Sequence, residues 1–391
     1  MHKHSIRMPR ITQAIFQSIL AAFLVVSGTM QGDANDAKVA VTTYHYDNLR
    51  TGWNKSETKL AASNLTTINF GVVATVQLDD QVDAQPLIVP NLAIARGRHD
   101  VVYVATESNT VYAIDASSGG QPLAQTHLGP PVPSPLGCVN NGPNVGITGT
   151  PVIDVKANRL FVIAYVNLTP SSSSPTPGYQ LHALNLSTLK DALPPVTITA
   201  FHTLVDGSSY TFSAAYQRQR PGLLELNGTV YAGFGSFCDY AGQFSRGWVL
   251  GWEASNLRPL RANRLNDTQP SDPNGGPPDG SWQMFLSSVW MSGYGIASDG
   301  TYLYFSTGNS DCNWMLPGPP CPPSTTWTRA NHIQESVAQL STSLALRGVF
   351  TPGPPYDTYT LDYNDWDLGS GGGNAFPDWQ RELSLPRHCG G

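Results

Sequence analysis

Val101-Val102-Tyr103-Val104-Ala105-Thr106-Glu107-Ser108-Asn109-Thr110-Val111-Tyr112-Ala113-Ile114-Asp115-Ala116-Ser117-Ser118-Gly119 holds two apolar strand patterns, a short polar break between them and a turn phrase at its end. Its β-branched and aromatic residues suit a pleated, half-buried surface, and the Asp, Ser and Gly of the last phrase suit a tight turn. The phrase returns as Leu181-His182-Ala183-Leu184-Asn185-Leu186-Ser187-Thr188-Leu189 and as Val249-Leu250-Gly251-Trp252-Glu253-Ala254-Ser255-Asn256-Leu257. A looser copy is Val337-Ala338-Gln339-Leu340-Ser341-Thr342-Ser343-Leu344. A fixed order of strands and turns, repeated along the chain, marks an architecture in which each unit buries its apolar face against its neighbours.

Around each phrase the same unit is legible. A first strand enters through a turn at Gln85-Pro86-Leu87-Ile88-Val89, Thr150-Pro151-Val152-Ile153-Asp154, Arg220-Pro221-Gly222-Leu223-Leu224 and Ser292-Gly293-Tyr294-Gly295-Ile296. A second strand follows, as in Arg159-Leu160-Phe161-Val162-Ile163 and Tyr302-Leu303-Tyr304-Phe305-Ser306, the phrase closes the third, and residues 121–125 and 196–199 supply a fourth. Four meandering strands, radially repeated, make a β-propeller blade. The predicted fold class is therefore all-β, a propeller of four-stranded antiparallel blades over about residues 85–130, 150–200, 220–265 and 292–352, with a fifth begun at 367–372. Insertions fall between second and third strands, at 171–177, 236–246 and 310–335, where Ser/Pro-rich text reads as solvated loop.

With 391 residues, 40% hydrophobic and 13% charged, the chain can fill a large core, and a net charge of −6 leaves no basic surface for nucleic acid. His2, Lys3, His4, Arg7 and Arg10 precede an apolar run over 14–26, followed by small and polar residues, the pattern of a secretory signal peptide over residues 1–37. Gln17 and Ser18 cut that run short of a membrane anchor, and no later stretch is long enough to span a bilayer. The expected location is secreted, periplasmic or cell-surface.

Five cysteines fit an oxidising compartment. Cys312 and Cys321 flank a Pro/Gly-rich insertion and are expected to form a disulfide; Cys138 and Cys238 are a second candidate pair, and Cys389 is left over. Zinc spacing is absent. Asp362, Asp365 and Asp367 alternate like calcium ligands but lack the glycine and terminal glutamate of an EF-hand loop, so an acidic turn competes with a metal site there. No Gly-x-Ser-x-Gly elbow offers an acyl-transfer nucleophile.

Residues 101–119 resemble the pyrroloquinoline-quinone-like (PQQ-like) propeller repeat. Tyr46-Asp47-Asn48-Leu49-Arg50-Thr51-Gly52, Ala84-Gln85-Pro86-Leu87, Gly146-Ile147-Thr148-Gly149-Thr150-Pro151-Val152-Ile153-Asp154, Gly247-Trp248-Val249-Leu250-Gly251 and Asp367-Leu368-Gly369-Ser370-Gly371-Gly372 resemble a set of secreted bacterial proteins of this class, over about residues 42–372. The resemblance implies the propeller and admits quinoprotein dehydrogenases, which hold calcium with carboxylate and amide groups and in many cases stack PQQ on a vicinal disulfide. This chain has no adjacent cysteines, and Gln121 and Leu123 follow Gly119 where the family usually places a Trp. The family continues beyond Gly372 with a proline and another apolar strand; residues 373–391 show no such alternation, so the chain is expected to be a truncated or frame-shifted version of a longer protein that alone makes an open or strained propeller, in which the early strand near Thr42–His45, a closure strap for the final blade, lacks its partner.

Residues just before each first strand cluster around the mouth of a propeller's channel. Gln85, Thr148, Thr150, Arg220 and Trp290 hold this place in successive repeats and form a candidate ligand ring. The competing role is to cap strand ends and lock blades together, with Arg220 paired to an acid. Function is expected to be a non-catalytic binding or scaffold module for an extracytoplasmic protein, glycan or small molecule. The alternative is a quinoprotein dehydrogenase oxidising an alcohol or sugar with PQQ and calcium, for which Glu107, Asp154 and Asp239 are candidate bases.

Overall fold

The computed structural model describes residues 38–66, 71–135, 142–172, 174–204, 207–237, 245–261, 263–265, 287–308, 333–353, 360–361, 364 and 366–371. Four antiparallel meanders follow one another. The first blade runs Leu87–Ile94, Gly97–Ala105, Thr110–Asp115 and Ala124–His127; the second runs Val152–Asp154, Arg159–Asn167, Pro177–Asn185 and Val196–Thr197. The third has Thr229–Ser236, Trp248–Glu253 and Arg264–Leu265 outside a divided inner strand, and the fourth has Ala297–Ser298, Tyr302–Ser306, Val337–Ser341 and Leu346–Phe350.

The blades stack in chain order through three apolar layers. Leu87, Val101 and Val111 meet Leu160, Val162 and Leu184 between the first two; Phe161, Tyr179 and Leu181 meet Phe234, Trp248 and Leu250 between the next two; Leu224, Tyr231 and Val249 meet Leu303, Phe305 and Leu340 between the last two. Among the described residues no apolar cluster joins the fourth blade to the first, so the stack is not closed. Nor is any helix among them long and apolar enough to cross a membrane.

The repeated phrase is a hairpin corner with a left-handed last residue. Gly119 takes φ 70° and donates to the Asp115 carbonyl at 2.9 Å, while Leu189, Leu257 and Leu344 hold the same place at φ 52°, 60° and 64°. A leucine is strained there. All three are buried, so packing in the blade layers offsets the backbone cost.

A strap crosses the inner strands of all four blades. Val41 pairs with Ile88, the Thr42 carbonyl accepts from the Ile153 amide at 2.8 Å, Asn48 Nδ2 donates to the Glu225 carbonyl at 3.0 Å, and the Ser298 amide donates to the Asn48 carbonyl at 2.6 Å. Arg50 fastens it between the third and fourth blades. The segment expected to add a strand to the final blade thus lies at the inner edge of the whole stack, because its free backbone groups find partners on the short inner strands.

Candidate functional site

In an antiparallel meander the start of the inner strand and the connection between second and third strands lie at the same end of a blade. In the first blade Leu87 faces Tyr103 and Ala105 faces Val111, which brings Gln85 to the end that carries residues 106–109. In the second blade the connection between Asn167 and Pro177 therefore leaves from the same end as the predicted ring; most of 236–246 and 310–335 lies outside the described residues.

The structure divides that ring. Gln85 and Thr150 are committed to holding the blades: the Gln85 amide donates to Thr150 Oγ1 at 2.9 Å, Gln85 Oε1 accepts from the His45 amide at 3.2 Å, and the Thr150 carbonyl accepts from the Leu223 amide at 2.8 Å. These two residues join the strap to three blades. Thr148, Arg220 and Trp290 are not used in that way.

Thr148 lies beside Glu107, which hangs from the loop between the second and third strands of the first blade. Glu107 Oε2 accepts from the Gly146 amide at 2.5 Å, and Oε1 is buried without a hydrogen-bond partner. Asn109 donates to the carbonyls of Gly129 and Tyr165 at 3.1 and 2.8 Å, leaving Oδ1 buried and unpartnered. A side chain at position 146 would sit 2.7 Å from that oxygen, so glycine is required for the close approach. Burial pushes the Glu107 carboxyl up to about 7, against the Gly146 amide and the Thr148 hydroxyl, which favour its charged form, and together with Asp83, which disfavours it.

The inner strand of the third blade is broken where Arg220 stands. Gln217–Gln219 and Leu224–Leu226 both pair with Thr229–Ser236, but between them Pro221 has no amide to donate, Gly222 donates to the Tyr294 carbonyl at 3.0 Å in the fourth blade, and Leu223 turns to Thr150 in the second. The sequence pattern predicts the first strand at 220–224; bonding to both neighbouring blades takes those residues out of the ladder and leaves paired segments on either side of them. Upstream of the break Gln217 and Gln219 are buried while Arg218 and Arg220 are half-buried, an alternation that puts both guanidinium groups on the same side.

Each guanidinium lies over an aromatic ring, Arg218 at 5.6 Å from the centre of Phe237 and Arg220 at 5.2 Å from that of Trp290. Neither makes a hydrogen bond or ion pair among the described residues, and Arg218 Nε is buried without a partner. The expected acid partner of Arg220 is thus replaced by the indole. Burial, then the neighbouring Arg218, lowers the Arg220 pKa; Asp83 and Glu107 act in the opposite sense. Arg218 is the residue that sequence reading missed, although an Arg-x-Arg pair in a chain with 13% charged residues was the available signal.

Trp290 is held by strain and by glycines. Met291 and Ser292 follow it at φ 48° and 46°, and a Cβ on Gly308 or Gly369 would come within 2.7 or 3.1 Å of its Nε1. Gly369 belongs to the Asp367-Leu368-Gly369-Ser370-Gly371 stretch, whose Leu368 amide donates to Glu335 Oε2 at 2.9 Å.

The other candidates lie elsewhere. Asp154 caps a turn at the opposite end of its blade, accepting from the Ala157 amide at 3.0 Å. Asp367 accepts from Ser370 Oγ at 3.4 Å. Asp239, Asp362, Asp365, Cys138, Cys238, Cys312, Cys321 and residues 1–37 and 373–391 lie outside the described residues. A cavity of about 680 Å³ at the far end of the first blade is lined by charged groups that satisfy one another: Lys38 with Asp100 at 2.6 Å, His99 with Asp115 at 2.7 Å, and Arg98 with the Asn91 carbonyl at 2.7 Å.

No family model and no curated protein matches the chain. Among solved structures it is similar to the quinohemoprotein alcohol dehydrogenase of Comamonas testosteroni, with a TM-score of 0.54 and 16% identity over 84% of this chain and 44% of that one. The fold is a quinoprotein-type β-propeller. The quinohemoprotein alcohol dehydrogenase ADHIIG of Pseudomonas putida HK5 is also similar to this propeller, with a TM-score of 0.52 and 15% identity over 82% of this chain and 41% of that one. The propeller thus spans less than half the length of either dehydrogenase.

Proposed function

We propose that this propeller acts outside the cytoplasm as a non-catalytic binding module that holds a small molecule at its mouth. One observation carries the reading: two half-buried guanidinium groups, each lying over an aromatic ring, carry N–H donors that no described residue uses. A protein leaves such donors unmatched at a cost unless a ligand completes them. A screen of small molecules by thermal shift tests this. A ligand that raises the melting temperature of the parent but not of Arg220→Gln supports it; ligands that act equally on both count against it.

The dehydrogenase reading is favoured by the shared fold and by Glu107, a carboxyl poised near neutrality that would suit a general base. It also needs a calcium site. Calcium takes about six to eight oxygens, whereas among the described residues the buried, unpartnered side-chain oxygens beside Gly146 are those of Glu107, Asn109 and Thr148, with Arg220 in Coulombic reach. That donor set does not fit the ion, and we derive no oxidative step from it. Adding PQQ and calcium to the purified protein and following dye reduction with ethanol or glucose distinguishes the readings, since turnover that depends on Glu107 would overturn the binding module.

A further inference from the structure

Building on the small-molecule mouth proposed above, we infer that its ligand is a small organic monocarboxylate gripped by Arg218 and Arg220 together. Each guanidinium carbon lies over a ring, at 5.6 Å from the centre of Phe237 and 5.2 Å from that of Trp290, and the in-plane N–H edges have no hydrogen-bond partner among the described residues. Those edges match the two oxygens of a carboxylate, which a guanidinium binds edge-on through two parallel hydrogen bonds. Two like charges on one side of a strand repel, so an anion between them relieves both their repulsion and their lost hydration.

The surroundings restrict which anion. Asp83 and Glu107 both lie in Coulombic reach of Arg220, so each further negative charge on a ligand meets their repulsion as well. A dianion such as phosphate is penalised more than a single carboxylate. Among the described residues no hydrogen bond or ion pair ties either arginine, whereas Gln217 and Gln219 on the buried side of the same strand are bonded to neighbours, Gln219 Nε2 to the Pro221 carbonyl at 2.6 Å and Gln217 Oε1 to the Ser213 amide at 2.8 Å. The rims of the indole and phenyl rings offer apolar contact to the carbon skeleton of an organic acid. The chain's net charge of −6 opposes polyanions such as nucleic acid at longer range.

Arginine labelling with phenylglyoxal, read by mass spectrometry on the mature protein, tests the assignment with Arg50 as the internal unreactive control. Acetate, benzoate and gluconate are the carboxylate probes, glucose the neutral counterpart of gluconate, and inorganic phosphate the dianion. Arg218 and Arg220 are expected to label in the free protein and to be protected several-fold by at least one carboxylate, with no protection by glucose and less by phosphate. The double variant Arg218→Gln/Arg220→Gln should keep the parent's cooperative melt and lose the melting shift given by that carboxylate. Arginines that fail to label, or protection by none of the three acids, would overturn the assignment. Equal protection by glucose would overturn the carboxylate while leaving a mouth that binds small molecules; a carboxylate-induced melting shift that survives in the double variant would overturn both.

Discussion

Arg50 and the Arg218–Arg220 pair are the same residue type put to opposite uses. Arg50 is fully buried, and each of its three nitrogens donates: Nε to the Ile296 carbonyl at 2.9 Å, Nη1 to the Tyr44 carbonyl at 2.9 Å and Thr43 Oγ1 at 2.5 Å, and Nη2 to the Leu223 carbonyl at 3.0 Å. Gly295 lies flat against its guanidinium, where a Cβ would be 2.9 Å from the central carbon. Burial pulls its pKa down to about 9, with Asp47 and Tyr44 acting to raise it. At the mouth, Arg218 and Arg220 touch rings and donate to nothing described. A buried cation bonded through all three nitrogens holds a fold together; a half-buried cation with no hydrogen bond among the described residues has donors to spare, which the proposed ligand would use.

The sharpest break of this contrast is Arg50→Met. Removing the guanidinium takes a donor from the carbonyls of Tyr44, Leu223 and Ile296 and from the Thr43 hydroxyl, and leaves Asn48 to hold the strap to the third and fourth blades, at a cost of about 3 to 5 kcal/mol. Urea unfolding should show a large fall in the midpoint.

Next in size is a pH effect at the mouth. The folded pKa of Glu107 lies above its unfolded value, so its contribution is complete below the unfolded pKa and is lost as pH rises through about 7. The loss amounts to roughly 3 kcal/mol at its limit. His182 and His202, held down by burial, act in the opposite direction as pH rises toward neutrality, so the readout is a difference. Subtracting the stability of Glu107→Gln from that of the parent should give a quantity that falls between pH 5 and 8; a flat difference would remove Glu107 from the account.

Gly146→Ala should cost about 1 to 3 kcal/mol by overpacking the Glu107 and Asn109 backbone and side chain. The smallest effect is expected for Arg220→Gln, which gives up one cation–π contact worth about 0.5 to 1 kcal/mol. Its melt should stay close to the parent's, and a loss as large as that of Arg50→Met would erase the distinction.

The blades were legible in the sequence because their signals are local. Alternating Val, Tyr and Ile strands and an Asp- or Asn-led turn need only near neighbours to form, and the corner held by Gly119 tolerates Leu189, Leu257 and Leu344 because their side chains reach the core. What escaped reading depends on partners far along the chain. The division of the third blade's inner strand is decided by Tyr294 and Thr150, and the role of Arg50 by carbonyls from positions 223 and 296. Of the predicted ring, Gln85 and Thr150 bond neighbouring segments while Arg220 lies over the Trp290 ring, and nothing in the residue types alone separates a polar side chain that bonds its neighbour from one that does not.

Arginine-selective 15N NMR of the guanidinium Nε–H groups, following hydrogen exchange in the ligand-free protein, tests that separation most directly. The account predicts a long-lived signal for Arg50, protected by its bonded cage, and much faster exchange for Arg220, whose edge meets solvent. Comparable protection at Arg220 would mean that it already has an acceptor in the folded chain, and the mouth would then be one more lock between blades.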